Sequence, residues 1–311
     1  MVDPLTTPTP RDERPRCCGR AASSRAVAIL SLLAALAAAP GSAEPAQSPA
    51  PDPTAGMAHQ HAHDAPTPSP AVGRAGGSMQ VVTRTVQYAV VDGAPVRGAL
   101  ARPAGAGKGG PAVLLVHEWW GLNDNIRDVA RQLASQGYTA LAVDLFGGRS
   151  ATDPGKAEEL VKNVMAHPEA ARENLRQAVR YLRQEVGAAK VGVIGWCFGG
   201  GWALEAGLAA PEQVDAVVMY YGEPELDRAR LALLQAPLLG LYGDRDDAFP
   251  PKTVHKFEAL LKELRKDATI RTFPGAGHAF ANPSGGRYVK AAADEAWKLT
   301  EAFLDEHLRG G

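Results

Sequence analysis

The chain has 311 residues, long enough for one large α/β domain with additional segments. Its 33 lysines and arginines nearly balance 34 aspartates and glutamates, so no net field draws it to nucleic acid or to an anionic membrane surface. No basic stripe with interleaved aromatics breaks that balance, and the 45% hydrophobic content is ordinary for a soluble protein.

The N-terminus has its own character. Arg11, Arg14, Arg16, Arg20 and Arg25 form a basic lead, residues 26–39 form an apolar run rich in Ala and Leu, and Gly41-Ser42-Ala43 supplies small residues. This reads as a signal peptide over 1–43, cleaved near Ala43, with a periplasmic or extracellular destination. The alternatives are an uncleaved anchor, the only route here to a membrane, or a start placed upstream of the true one. Cys17 and Cys18 precede the apolar run, so neither is placed as a lipoprotein cysteine. Cleavage would leave Cys197 alone, with no internal disulfide available, and an unpaired thiol in an exported chain is a liability unless it is buried or used.

Residues 44–78 are dense in Pro, Ala, Gly and Ser without apolar periodicity, and read as a disordered tether. Within them, His59, His61 and His63 alternate as copper or zinc ligands could. The plainer reading is a solvated patch of linker.

The folded domain is expected over 79–311. Residues 81–91 and 95–101 read as strands joined at Asp92-Gly93, a hairpin signal. Residues 112–116 are a buried-type strand, 125–136 an amphipathic helix ended by Gly137, and 140–143 a strand. Residues 157–186 hold one or two helices, broken around His167-Pro168. Strand 191–194 and helix 202–208 follow, then strands 214–220 and 238–242, helix 253–264, strand 270–273 and a closing helix over 288–308. Alternating strands and helices with near-continuous apolar strands predict an α/β fold, a mostly parallel sheet flanked by helices on both faces.

Between strand 191–194 and the next helix stands Gly195-Trp196-Cys197-Phe198-Gly199-Gly200. A strand, a tight small-residue turn and a helix form a nucleophile elbow, here with cysteine in the nucleophile's place. The glycines suit a turn with no room for a Cβ, and the helix start brings free N–H groups and a positive dipole end to the reacting atom. Taken alone, Cys197 could be a small core residue.

Three other residues sit where strands end, the usual place for sites in such sheets. Glu118 lies in His117-Glu118-Trp119-Trp120-Gly121, Asp246 in Gly243-Asp244-Arg245-Asp246-Asp247-Ala248-Phe249-Pro250, and His278 in Gly275-Ala276-Gly277-His278-Ala279-Phe280. Nucleophile, acid and histidine follow the α/β-hydrolase order, in which the histidine moves protons and the carboxylate fixes its tautomer.

These four motifs together resemble the dienelactone hydrolase family, over roughly residues 81–308. The resemblance implies an α/β-hydrolase fold, a Cys197-Asp246-His278 triad, a glutamate beside the thiol at Glu118, and oxyanion donors in the backbone N–H groups of Phe198 and Trp119. Among the neighbouring aspartates, Asp246 has the family's spacing to Pro250. Tyr220 matches a pocket tyrosine of the family, although Tyr220 and Tyr221 could equally be packing residues. The family's substrate-holding arginine, shortly after the histidine, is matched here by Asn282, and a second arginine and a tyrosine have no clear counterpart around residues 156–164.

The expectation is a thiol hydrolase of a small ester or lactone, proceeding through a thioester, monomeric or weakly associating, needing no metal or organic cofactor. Trp119, Trp120, Trp196 and Phe198 predict an aromatic, apolar pocket wall. The alternative is a catalytically idle exported binding module on the same fold.

Overall fold

The computed structural model describes residues 77–310 except 284. The signal segment, the cleavage site near Ala43, the linker and the His59/His61/His63 cluster lie outside the described residues. One sheet contains β1 (Val81–Val91), β2 (Ala94–Pro103), β3 (Ala112–Val116), β4 (Thr139–Ala142), β5 (Val191–Trp196), β6 (Ala216–Tyr220), β7 (Leu238–Gly243) and β8 (Ala268–Phe273). Its spatial order is β1-β2-β4-β3-β5-β6-β7-β8.

The β1–β2 hairpin turns at Asp92 (φ 49°) and Gly93 (φ 77°). Two consecutive positive φ values match the right-handed twist of the strands, which is why an Asp-Gly pair stands there. This hairpin joins the sheet antiparallel through β2 and β4, and every pairing from β4 across to β8 is parallel. All residues of β3, β4, β5, β6 and β7 are buried, as expected for parallel strands covered on both faces. The outer strand β8 shows partial exposure in alternation.

The helices are α1 (Asp124–Ser135), α2 (Pro154–Ala166), α3 (Pro168–Gln184), α4 (Phe198–Ala209), α5 (Arg228–Leu231), α6 (Pro251–Glu263) and α7 (Lys290–Arg309). The Asn123 side chain accepts from the Ile126 N–H to start α1, and Asp153 accepts from the Lys156 N–H to start α2. The break at His167-Pro168 is real: Pro168 cannot continue α2 but is well suited to the first turn of α3. Helix α4 packs on β5 and β6. From the other face α7 presses so close to β5 that a Cβ on Gly192 would meet Leu308 at 2.9 Å. No helix among the described residues is long and apolar enough to cross a membrane.

Local expectations differ in places, and α4 begins at Phe198 rather than at residue 202. Strand β6 begins at Ala216 rather than Val214, because the Val214 N–H closes onto Ala210 O at the end of α4. The short α5 is additional; Asp227 caps it by accepting from the Ala229 and Arg230 N–H groups.

The feature that positions a site is the place of β3. It lies between β4 and β5, parallel to both. The chain leaves β3 on one side for β4 and returns on the other as β5, so strand order reverses there. In open α/β sheets ligands bind outside the carboxyl ends at such a reversal. Glu118 follows β3 and Cys197 follows β5.

Candidate active site

Cys197 occupies the turn between β5 and α4 with φ 55° and ψ −121°, a conformation rare for a residue with a side chain. The turn is held by the Cys197 N–H donating to Tyr220 O at 3.0 Å. A Cβ on Gly195 would stand 1.9 Å from Gly199 O, and one on Gly199 would stand 2.4 Å from the carbonyl oxygens of Val116 and His117. Both positions therefore exclude any side chain, which accounts for the Gly-x-Cys-x-Gly pattern. Tyr221 (φ 36°) and Ala279 (φ 59°) carry further positive φ values at the neighbouring strand ends.

His278 and Asp246 meet Cys197 from the ends of β8 and β7. His278 Nε2 lies 3.3 Å from Cys197 Sγ, and its Nδ1 lies 2.9 Å from Asp246 Oδ2. The other Asp246 oxygen accepts from the Ala248 and Phe249 N–H groups at 2.9 and 3.0 Å, so its loop fixes the carboxylate's orientation. The adjacent acids are spent otherwise: Asp244 accepts from the Gly275 N–H, and Asp247 is exposed. With the carboxylate accepting at Nδ1, the proton sits on Nδ1 and Nε2 is left to accept from the thiol.

Burial pushes the Cys197 thiol well above its ordinary range. The Glu118 carboxylate adds to the rise, while a hydrogen bond from the Phe198 N–H and the charge of Arg287 act against it. The resting pair is thus a protonated thiol facing a histidine acceptor. Glu118 is buried, and its Oε2 accepts from Asn282 Nδ2 at 2.9 Å. His117 plays a different part. Its Nε2 accepts from the Leu145 N–H at 3.1 Å and its Nδ1 donates to Glu118 O at 2.6 Å, while burial lowers its proton affinity. It is a neutral strut joining the ends of β3 and β4.

The structure brings Cys197, Asp246, His278 and Glu118 together, with the Phe198 N–H at the sulfur. Trp119 follows Glu118 directly and is buried, its ring 4.8 Å from that of Trp120. Tyr220 takes the packing place that its sequence context left open, and it borders a small cavity with Glu118 and Asn282. Its hydroxyl pairs with Thr300 Oγ1 of α7 at 2.7 Å and its ring stacks on Trp196, so it packs into the sheet rather than lining the main cavity. Tyr221 takes the place beside the histidine, ring centroids 5.3 Å apart. Asn282 donates to Glu118 and borders a small cavity with it.

A cavity of about 380 Å³ opens on Cys197. Its apolar wall comes from Phe198, Trp202 and Leu204 of α4 and from Val161 and Met165 of α2. Trp119, Trp120 and Trp196 do not line it; Trp196 instead borders a separate small cavity with Glu118 and Tyr221. Glu223, just past β6, also lines it, and sequence reasoning missed this residue. A larger cavity of about 790 Å³ lies beside the β1–β2 hairpin and contains none of Cys197, Asp246 and His278; size alone does not locate the chemistry.

Comparison with known proteins shows the family and the fold. Residues 96–308 match the model of the dienelactone hydrolase family. A candidate carboxymethylenebutenolidase of Saccharolobus solfataricus is 32% identical over 250 residues, covering 68% of this chain and 95% of its own. A second, from Aquifex aeolicus, is 31% identical and covers 70% and 96%. Among solved structures, a candidate dienelactone hydrolase from Klebsiella pneumoniae superposes with a TM-score of 0.64 at 26% identity, over 73% of this chain and 99% of its own.

Proposed function

Because the chain belongs to the dienelactone hydrolase family of α/β-hydrolases, we propose that it hydrolyses a small ester or lactone with Cys197 as the nucleophile. The single observation that carries this reading is the continuous line from Asp246 Oδ2 through His278 to Cys197 Sγ, at 2.9 and 3.3 Å.

The chemistry follows from that line. As the thiol approaches a bound carbonyl carbon, its proton passes to His278 Nε2 and a carbon–sulfur bond forms. The carbonyl oxygen takes up negative charge and is received by the backbone N–H groups of Phe198 and Trp119 at the start of α4 and the end of β3. Asp246 supports the charge on the imidazolium and keeps its ring oriented. When the tetrahedral adduct collapses, the carbon–oxygen bond breaks and the leaving alkoxide takes the proton from Nε2. In a lactone this oxygen remains tethered to the acyl part. A thioester stays on Cys197. Water then loses a proton to His278 Nε2 and attacks the thioester carbon. The carbon–sulfur bond breaks, and the sulfur recovers its proton.

Glu118 acts on the sulfur before substrate arrives. A carboxylate near the thiol keeps it protonated, and a protonated thiol resists oxidation. Asn282 holds that carboxylate in place. In this reading the protein is exported, acts as a monomer and needs no cofactor. Cell fractionation tests the first of these claims and sedimentation the second.

Hydrolysis assays over a panel of lactones and aryl esters test the function. Turnover is expected on some members, with loss on the order of a thousandfold or more in Cys197→Ala. A folded protein that turns over none of them would support the idle binding module. Turnover retained in Cys197→Ala would overturn the thiol mechanism.

A further inference from the structure

We propose that Glu223 is a specificity-determining residue, and that the cavity beside Cys197 selects substrates carrying an alkylammonium group. The inference rests on the hydrolase reading for the reaction, and on the cavity's own chemistry for the ligand class.

Glu223 follows Gly222 at the carboxyl end of β6 and lines the same cavity as Cys197. Its Cβ lies 3.4 Å from where a Cβ on Gly201 would stand. Gly201 is one helical turn along α4 from Cys197, so the base of the Glu223 side chain lies within about 10 Å of the reacting residue. Glu223 is open to the cavity, but enclosing protein and the neighbouring Glu225 both push its carboxyl upward. Among the described residues it has no hydrogen-bond or ion-pair partner.

The other charged groups lining this cavity are already matched to one another. Arg172 Nε donates to Glu205 Oε1 at 2.9 Å, and Arg230 Nη2 donates to both Glu205 oxygens at 2.8 and 2.6 Å. Arg230 Nε also donates to Glu225, which in turn accepts from the Asp227 N–H. The lining holds two arginines against three glutamates, and Glu223 is the unmatched one. An anionic substrate would meet a carboxylate, and the arginines could greet it only by breaking pairs.

A cation meets the opposite situation. Phe198 and Trp202 line the same space, ring centroids 6.1 Å apart. Aromatic rings and one uncommitted carboxylate are the groups that hold an alkylammonium: the rings replace water around its methyl groups, and the carboxylate supplies charge. The smooth apolar wall of Val161, Met165 and Leu204 offers no competing donor.

The test uses three esters of one acid, matched in shape. The alcohol part ends in trimethylammonium, in the neutral tert-butyl isostere, or in carboxylate. For each, kcat/KM is measured for the wild-type chain, for Glu223→Gln and for Glu223→Lys. In parallel, binding of the three corresponding ketones, which cannot be hydrolysed, is measured by calorimetry. The wild type is expected to favour the cation over the neutral isostere by about tenfold, in rate and in binding. That ratio should fall to near unity in Glu223→Gln and turn toward the carboxylate in Glu223→Lys. Equal ratios in the wild type and Glu223→Gln, or tighter binding of the carboxylate ketone by the wild type, would overturn the proposal. If no ester is turned over, the ketone ratios still decide the role of Glu223, while the panel of lactones and aryl esters decides the hydrolase reading.

Discussion

Asn282 donates its side-chain amide to Glu118 Oε2 at 2.9 Å, joining the loop after His278 to the end of β3. The bond connects residues 164 positions apart and sets a carboxylate within electrostatic reach of the Cys197 sulfur. Replacing Glu118 by Gln removes the charge while keeping an oxygen for Asn282. The thiol then ionises more readily. Alkylation by iodoacetamide at fixed pH should become severalfold faster, and peroxide should inactivate the enzyme sooner. Unchanged thiol reactivity and turnover would remove Glu118 from the site.

The same bond bears on substrate charge. With its amide committed to Glu118, Asn282 cannot replace a guanidinium that would grip a substrate carboxylate. A charge-assisted hydrogen bond of that kind is worth about 1.5–3 kcal/mol, or about tenfold to a hundredfold in specificity. A carboxylate-bearing lactone is therefore expected to be a poorer substrate than its methyl ester, judged by kcat/KM on the matched pair. A clear preference for the anion would show that another cation, such as Arg287 or Lys156, has taken the arginine's place.

Asp246→Asn tests the histidine's orientation. The remaining amide oxygen can still accept from the Ala248 and Phe249 N–H groups, so the fold should survive. An amide cannot support the imidazolium, and the ring loses its fixed tautomer. Turnover should fall on the order of a thousandfold or more, with the thermal midpoint little changed. A variant close to wild-type activity would separate Asp246 from the chemistry.

Cys197 also makes stability depend on pH. In the unfolded chain a thiol ionises near about 8.5. In the native chain burial holds the proton on Cys197 well beyond that. Above the ordinary value the native state therefore binds more protons than the unfolded state. The contribution is intact below about pH 8.5 and is lost as pH rises from there toward the native value. Denaturant midpoints at pH 7.5 and 10 should fall further for the wild type than for Cys197→Ala. An equal fall in both would show that the thiol is not held protonated by the fold.

Much of this architecture was readable from local pattern. Residues 112–116 are apolar without a break because β3 is covered on both faces, and Asp92-Gly93 marks the β1–β2 hairpin because both residues need positive φ. The elbow was readable because contacts at Gly195 and Gly199 admit only glycine. What escaped depends on tertiary placement. Tyr220 and Tyr221 look alike in sequence. The positive φ of Tyr221 carries its ring to His278 while Tyr220 remains on the strand and reaches Thr300. The tryptophans of the motif loops turn into the core, and α2 and α4 supply the cavity wall in their place. Glu223 carries no local signal, since its importance comes from arginines paired elsewhere.

The most direct test of the account is to trap the acyl-enzyme. The wild-type chain is mixed with an activated aryl ester, quenched in acid within the first turnovers, digested and examined by mass spectrometry. The account predicts one acyl group on the peptide containing Cys197, appearing no slower than product and decaying at the turnover rate once ester is exhausted. In Cys197→Ala neither the adduct nor turnover should be seen. An acyl group carried by another residue during turnover, or full turnover without Cys197, would contradict the thiol mechanism.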